Sequence, residues 1–545
     1  MKTNVTFLKL KLFYYWSLSI LGVSCVIYVS NKGIDFTDES FILNFTNPDI
    51  KVGPSAMRID LFFKSIWNIL GIRLSILENR LLNLFGMIIG SYFLWKNLKS
   101  NNSKIYELAL FVVALFSSYC FGTTSISYNS LIGILSLIYI GLFIKYLNSK
   151  NNVFLATIQG VLIYLIYLTK APSGILTFVF SSFILCIHLI YKRDIISLEK
   201  FLFYLIINTV LFFALFQILP ETSLKNVLES LKQLDSSHDP FRLIKKFAFE
   251  IIFILFFFFF GFSISQIKLK IKQEVLKKTF FNAGIFSLTI YCLYLNYIST
   301  GHFVCLVYFT TFILGFSFKD VFINANINKD WRIIAILLFT PIILSAGTNN
   351  PLHFQVLIYV FFWVFLIYYL NKRVLLSTSI MISFTFILAM GVFRNLIRSP
   401  YRQQPISHNV IPHDFLGSTH YITNEQFNTI ISLKNIIKKE KLKGLPILTD
   451  SKMHGEILFL EAVYPCHPYW NIQNIEVFFS QNKLDPKFIF VTKNSSLSDL
   501  EVISNYYECT LIGKYINTTK RLNKSEISCF LLKKRGKSCA NFKQK

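Results

Sequence analysis

The first 394 residues of the chain consist mostly of long apolar stretches separated by short polar loops. Apolar runs of about eighteen or more residues recur there, and that is the length an α-helix needs to cross a bilayer. The fold class indicated is a polytopic α-helical membrane protein. The pattern predicts about thirteen membrane-spanning helices, at residues 12–30, 81–96, 107–122, 130–146, 153–169, 174–191, 201–219, 247–267, 280–298, 302–318, 332–347, 354–370 and 374–394.

The loop at 31–80, between the first two predicted spans, has a different pattern. Within residues 55–70 the apolar side chains recur on one helical face, whereas charged and amide side chains fall mainly on the other. A helix with this pattern lies along the membrane interface. We therefore expect an interfacial helix just before the second span.

Residues 395–545 have a different sequence pattern, which predicts a helix and several short strands instead of long spans. Thr423 and Gln426 form a capping-box sequence ahead of an amphipathic helix, which Gly444 is expected to end. The expected apolar face of that helix consists of Phe427, Ile430, Ile431, Ile436 and Ile437. The apolar runs "PILT", "KFIFV", "CTLIG" and "EISCFLL" are typical of strands. The chain is thus predicted to divide into a transmembrane domain at 1–394 and a small α/β domain at 395–545.

The composition supports a membrane protein over an ordinary soluble enzyme, because 53% of the residues are hydrophobic and only 15% are charged. The net charge of +26 reflects topology, since Lys and Arg concentrate in alternate short loops while the loops at 123–129, 298–301 and 348–353 carry none. The positive-inside rule then places the N-terminus in the cytoplasm, and the 31–80 loop and residues 395–545 outside it. A lipid bilayer, not nucleic acid, is the expected partner.

The stretch "GIDFTDESFILNF" at 33–45 places three carboxylates, Asp35, Asp38 and Glu39, beside the membrane. Adjacent acids can share work, because one can act as a base while its neighbour tunes it or holds a partner. The alternative, that these are solvated loop carboxylates with no chemical role, is not excluded by the residues alone.

The chain resembles the GT-C glycosyltransferases, and most closely the branch with the protein mannosyltransferases and the lipid A aminoarabinose transferase. The resemblance rests on the Asp-Glu pair in the first external loop, the interfacial helix after it and the extracytoplasmic C-terminal region. It extends to "LENRLLNLFGMIIGSYF" at 77–93, where an Arg opens the second span, and to "YLTKAPSGIL" at 167–176.

The resemblance implies transfer of a sugar from a polyprenyl-phosphate carrier to a lipid, glycan or protein acceptor outside the cytoplasm, with inversion. Asp38 corresponds to the family's catalytic aspartate, which deprotonates the acceptor hydroxyl. Glu39 corresponds to the neighbouring acid that orients the acceptor or a metal. The implied location is the inner or plasma membrane of a bacterium, and the implied process is the synthesis of cell-envelope glycans.

A lipid-phosphate leaving group needs cationic and hydrogen-bonding partners. Lys170, at the external end of a span, is the leading candidate, with snorkelling to the interface as the alternative. The further candidates are Arg80, His302, His353, Asn350, Tyr401 and Arg402. For these, an interface anchor, a turn or a solvated loop side chain is the competing interpretation.

The next external loop, at 123–131, departs from the family pattern. Tyr128 and Asn129 stand where that family often has a second acid. Hard divalent cations favour several oxygen ligands, including carboxylates. We therefore expect no obligatory metal cofactor. A bound divalent cation stays possible, because Asp35 could replace the missing acid as a ligand.

Two other classes of membrane protein are alternatives to a glycosyltransferase of this kind. A transporter or flippase places charged residues inside its spans, whereas here the spans are nearly free of charge. A polymerase or ligase of lipid-linked glycans concentrates Arg and His in a large late external loop. The loop at 220–246 contains His238 and Arg242 but is modest in size.

Overall fold

The structure is a computed structural model. The described residues are 2–36, 38–48, 58–98, 119, 124–149, 153–231, 240–270, 279, 283–284, 286–291, 294, 305–324, 331–347, 352–373, 378–398, 404–415, 417–441, 444–449, 455–456, 458, 486–492, 503–504, 507–517 and 525–534.

Helices, many of them long and apolar, dominate the described part of residues 2–393. They are α1 (Lys2–Val29), α2 (Asp38–Thr46), α3 (Ile59–Leu70), α4 (Ile76–Leu98), α5 (Tyr128–Asn148), α6 (Val153–Thr169), α7 (Ala171–Lys192), α8 (Ile195–Ile218), α9 (Leu224–Leu231), α10 (Pro240–Lys270), α11 (Cys305–Asn324), α12 (Trp331–Ser345), α13 (Leu352–Ile358), α14 (Phe361–Arg373) and α15 (Thr378–Phe393). A π-helical turn, Arg394–Arg398, follows α15.

In the described part of the chain, α5, α7 and α8 are long and apolar enough to cross a membrane. The pair α13 and α14 is a further candidate span. These helices make the chain an integral membrane protein, as the apolar runs predict. The predicted total of about thirteen spans stays a prediction, because the span at 107–122 and much of 280–298 lie outside the described residues.

The predicted span at 354–370 is not one straight helix. The structure divides it into α13 and α14, which meet at a 69° bend. Tyr359 lies at the break, and its hydroxyl donates to Asn129 Oδ1 of α5 at 3.1 Å. No Pro or Gly occurs between 352 and 370, so the local pattern contains none of the usual signals for a break.

A helix, α3, is present within the range where the interfacial helix is predicted. It ends at Gly71, whose φ of +64° places it in the left-handed region that suits glycine. Ile69 and Leu70 at its end are 84% and 59% exposed. An apolar helix end that the protein leaves uncovered is expected of a helix that lies against lipid.

In the described part of residues 404–534 the strands form two small sheets. β1 (Ile411–Phe415) and β2 (Ser418–Ile422) form an antiparallel hairpin. A four-stranded sheet has the order β3-β4-β6-β5, with β3 (Ile447–Thr449) parallel to β4 (Phe488–Thr492) and with β6 (Ser525–Lys534) antiparallel to β4 and β5 (Tyr507–Asn517). Strands thus lie at all four runs that the sequence indicated, whereas the β1–β2 hairpin was not predicted.

The helix of this region, α16 (Asn424–Glu440), begins with the expected capping box. Gln426 N donates to Thr423 Oγ1 at 3.1 Å, and Thr423 N donates to Gln426 Oε1 at 3.4 Å. Two details of the prediction were wrong. The helix ends before Lys441, which has a φ of +54°, and not at Gly444. Ile431 is 38% exposed, because the buried face continues through Leu433 instead.

The first loop packs directly against this C-terminal region. Lys32 forms a parallel bridge with Tyr421 of β2. Gly33 N donates to Tyr421 O at 2.8 Å, and Tyr421 N donates to Asn31 O at 2.9 Å. A buried apolar cluster continues the contact, and it comprises Ile34, Phe36, Leu43, Ile76, Ile422, Ile430 and Leu458. The loop is therefore attached to the edge of the hairpin by a single parallel bridge and the apolar cluster below it.

Candidate functional site

The predicted acid pair lies at the N-terminus of α2, where a buried ion pair fixes Glu39. Arg80 Nε donates to Glu39 Oε1 at 2.8 Å, and Arg80 Nη2 donates to Oε2 at 2.8 Å. Both side chains are almost completely buried. This bidentate geometry is the strongest form of the Arg–carboxylate contact, because two parallel charge-assisted bonds fix both distance and orientation.

Arg80 uses its remaining donors on the end of α1 and the start of the loop. Nη1 donates to the carbonyls of Val29, Ser30 and Lys32 at 3.3, 3.0 and 2.7 Å. Nη2 donates to the carbonyl of Gly33 at 3.0 Å. Because all of its nitrogen atoms are engaged within the protein, this arrangement favours a positioning role for Arg80 over direct contact with a phosphate.

The neighbours of Glu39 complete its hydrogen bonding. Asp35 N donates to Glu39 Oε2 at 3.0 Å, and Glu39 N donates to Asp35 Oδ2 at 3.3 Å. The hydroxyl of Ser125 donates to Glu39 Oε1. This reciprocal arrangement resembles a capping box and holds the first turn of α2. The side chain of Glu39 is thus held in place by these bonds. Asp38 precedes it and is the first residue of α2.

Lys170 lies at the turn between α6 and α7, where it is 7% exposed. Its Nζ donates to the carbonyl of Leu344 near the end of α12 at 2.9 Å, and Ser173 Oγ donates to the same carbonyl at 3.1 Å. No described carboxylate pairs with this ammonium group. An ammonium group has three donors, so the buried charge of Lys170 has donor capacity left for an anionic partner.

The Lys170 turn and helix α2 are part of one packed unit. Ile42 of α2 and the residues Leu168 and Ala171, which flank Lys170, belong to the same buried apolar cluster. The start of α3 is also attached to this turn, since Arg58 N donates to Leu168 O at 2.9 Å. The fold therefore brings the predicted acidic loop and the predicted phosphate-binding lysine to one region of the bundle.

The other predicted site residues are placed less completely. His353, in α13, has its ring 6.4 Å from that of Tyr308 in α11. His302, Asn350, Tyr401 and Arg402 lie outside the described residues. Of Asp38, the structure describes only the backbone.

Two residues of the site were not predicted from the sequence. Ser125 lies in the loop at 123–131 where an acid was expected, and it contributes a hydroxyl to Glu39 instead. His420 of β2 is fully buried, and its Nε2 lies 2.8 Å from Ser418 Oγ. Burial, together with the nearby charge of Arg80, lowers the pKa of His420 to about 3, so this ring is neutral near pH 7. Nothing in the local sequence places β2 beside Arg80.

The arrangement can therefore present an acid at the start of a rigidly held helix, next to a second acid that Arg80 neutralises. A buried cation that pairs with none of the described carboxylates, Lys170, lies in the same region. This combination suits general-base chemistry close to an anionic leaving group.

Comparison with known proteins gives similarity at the level of structure only. No protein-family description matches the chain, and no curated protein sequence matches it. The chain is similar to the oligosaccharyltransferase of Archaeoglobus fulgidus, solved with Zn and sulfate, at a TM-score of 0.42 and 10% identity over 93% of this chain and 72% of that one. It is also similar to ArnT from Cupriavidus metallidurans bound to undecaprenyl phosphate, at a TM-score of 0.42 and 10% identity over 95% of this chain and 98% of that one. Both are GT-C glycosyltransferases, the superfamily that the sequence resembles. Similarity at this level assigns no activity and no residue role to this chain.

Proposed function

We propose that this chain is an integral-membrane glycosyltransferase that moves a sugar from a polyprenyl-phosphate carrier to an acceptor outside the cytoplasm. The observation that carries the proposal is the buried, bidentate Glu39–Arg80 pair. It fixes the first turn of α2, the helix that begins with Asp38. A general base must be held in place, and this frame supplies a rigid backbone for one.

In the proposed reaction Asp38 accepts the proton of the acceptor hydroxyl. At the same time the oxygen of that hydroxyl attacks the anomeric carbon of the sugar. The bond from that carbon to the carrier phosphate oxygen breaks, and the phosphate leaves with the electron pair. A single displacement of this kind inverts the anomeric centre. The nature of the sugar, hexosyl or pentosyl, does not change these steps.

Lys170 is the proposed partner of the leaving phosphate. A charge as buried as that of Lys170 is costly unless it is paired, and its one described partner is the carbonyl of Leu344. A carrier phosphate would supply the missing anion. Its negative charge grows as the sugar leaves, so a fixed cation stabilises the transition state more than the ground state.

Arg80, Glu39 and Ser125 are proposed to act as positioning residues that hold the first turn of α2. We also propose that transfer needs no divalent cation. Both oxygens of Glu39 accept hydrogen bonds from Arg80, and Asp35 Oδ2 accepts one from Glu39 N. These acids are therefore poorly available as the several oxygen ligands that a hard cation prefers.

The test is Asp38→Asn in membranes supplied with a labelled polyprenyl-phosphate sugar, with Asp414→Asn as the control. Asp414 is on the C-terminal hairpin, where its Oδ1 accepts from Thr419. Asp38→Asn is expected to lower transfer by about 10²-fold or more, the usual contribution of a general base, whereas the control keeps it. A chelator is expected to leave wild-type transfer unchanged. Undiminished transfer by folded Asp38→Asn protein would overturn the assignment of the base.

A further inference from the structure

A polar cavity lies beside the acidic loop, and the proposed reaction does not use it. Its volume is about 360 Å³, and it is located where α1 ends, α4 begins and β2 passes. Its lining consists of Ile27, Tyr28, Asn31, Lys32, Leu77 and Tyr421. The lining thus combines an apolar part, Ile27 and Leu77, with an amide and a cation.

Lys32 supplies the charge of this cavity. Its Nζ lies 3.7 Å from the ring centroid of Tyr421 and 5.7 Å from that of Tyr28. Cation–π contacts of this kind hold an ammonium group in place without using its N–H donors on an acceptor atom. No described carboxylate pairs with Lys32. The positioned ammonium can therefore receive an anion, and phosphate oxygens match it well.

The apolar part of the cavity continues along an uncovered face of α1. Phe13, Ile20 and Ile27 recur at seven-residue spacing on that face and are 72%, 62% and 55% exposed. Fourteen residues of α-helix span about 21 Å, which exceeds half of a bilayer's hydrocarbon core of about 30 Å. An acyl chain can therefore lie along this face from the middle of the bilayer to the cavity. Tyr28 is at the interfacial end, where tyrosine is favoured.

We propose that this cavity binds the phosphate group of an anionic membrane lipid, whose acyl chain lies along α1. The charge favours a phosphate, and the continuous apolar face favours a lipid over a soluble phosphoester. Such a lipid would contact the segment that Arg80 holds, because Lys32 O accepts from Arg80 Nη1 at 2.7 Å. The proposal does not depend on the transferase reaction, since it concerns binding alone.

The test is native mass spectrometry of the full chain released from nanodiscs of mixed phosphatidylglycerol and phosphatidylcholine. Lys32→Gln removes the charge and keeps a polar side chain of similar length. The matched control is Lys96→Gln, because Lys96 is also held over a tyrosine ring, that of Tyr92 at 5.9 Å, but does not line this cavity. Wild type and Lys96→Gln are expected to retain phosphatidylglycerol selectively. Lys32→Gln is expected to bind it about tenfold more weakly, the loss of roughly one charge-assisted hydrogen bond.

Equal retention by wild type and Lys32→Gln overturns the proposal. Displacement of the bound lipid by glycerol phosphate at equal concentration also overturns it, because the cavity would then recognise a soluble phosphoester. Should Lys32→Gln fail to fold, Tyr28→Ala tests the same cavity, since Tyr28 is 59% exposed and its truncation removes no buried contact of the core. Unchanged retention by Tyr28→Ala then has the same meaning as unchanged retention by Lys32→Gln.

Discussion

Replacing Arg80 by Gln is expected to destabilise the protein strongly and to abolish transfer while leaving Asp38 chemically intact. The change removes the partner of a carboxylate that is almost completely buried, together with donors to four backbone carbonyls. Breaking a buried ion pair by removing one partner costs about 3–5 kcal/mol. The orphaned carbonyls add to this wherever water cannot reach them.

Two further variants give the pair a more specific signature. Arg80→Lys keeps the charge but cannot bond both oxygens of Glu39 and the carbonyls together, so its loss is expected to be intermediate. Glu39→Gln combined with Arg80→Gln completes a double-mutant cycle. Because the two residues contact each other directly, the coupling free energy is expected to be about 2–3 kcal/mol, near the upper end for neighbouring residues.

The free energy of unfolding is to be measured in mixed micelles, with transfer from a labelled carrier followed in parallel. The control is Arg73→Gln, because Arg73 is exposed and its Nη1 donates to the carbonyl of Ile72. An exposed substitution of this kind is expected to change stability by no more than about 0.5 kcal/mol. If the effects of Arg80→Gln and Glu39→Gln simply add within about 0.5 kcal/mol, the buried pair does not hold the first turn of α2 and the reasoning fails.

Two predictions separate chemistry from stability elsewhere in the site. Lys170→Met is expected to lower transfer at least tenfold while the free energy of unfolding stays the same or rises, because it removes a buried charge whose described partner is one carbonyl; a parallel loss of stability and transfer would contradict a phosphate-binding role. His420, with its pKa lowered to about 3, is neutral in the folded protein at pH values where the unfolded chain protonates it. Stability is therefore expected to fall as pH drops from about 6.5 towards 3, by up to about 1.4 kcal/mol per pH unit. His420→Gln should lower the slope of the unfolding free energy against pH by the contribution of one proton. Unfolding curves measured across the range give this slope, and an unchanged slope would refute the assignment.

The sequence predicts several of the described helices well because their apolar runs are long and are separated by short polar loops. The predicted span 153–169 coincides with α6, and the interfacial pattern at 55–70 contains α3. The break between α13 and α14 could not be predicted in the same way. It lies in a continuous apolar run, and Tyr359 at the break makes a bond to Asn129, which is 230 residues away. Local periodicity carries no information about such a distant partner.

For the candidate site, too, the sequence shows some features and not others. Asp38, Glu39, Arg80 and Lys170 are visible in the sequence because charged residues are rare and costly beside apolar runs. What each charge contacts is not visible. Ser125 has no local feature that links it to Glu39, and a buried carboxylate could equally have met a metal, a lysine or an acceptor. The sequence therefore identifies the candidate charged residues, whereas the tertiary structure shows which partners each of the described ones contacts.

The C-terminal region is best understood as a structural part of the site, because the carbonyls of residues 29–34 rely mainly on donors from outside the segment, although Lys32 N also donates to Val29 O at 3.0 Å. Six consecutive carbonyls accept hydrogen bonds from elsewhere. Those of residues 29, 30, 32 and 33 accept from Arg80, whereas that of residue 31 accepts from Tyr421 N at 2.9 Å and that of residue 34 from Gln426 Nε2 at 2.8 Å. Buried carbonyls without partners are costly, so the segment needs the membrane helix and the C-terminal region at once. The position of the acid pair that follows it therefore depends on both, and loss of the Gln426 side chain would remove the donor to the carbonyl of residue 34, immediately before Asp35.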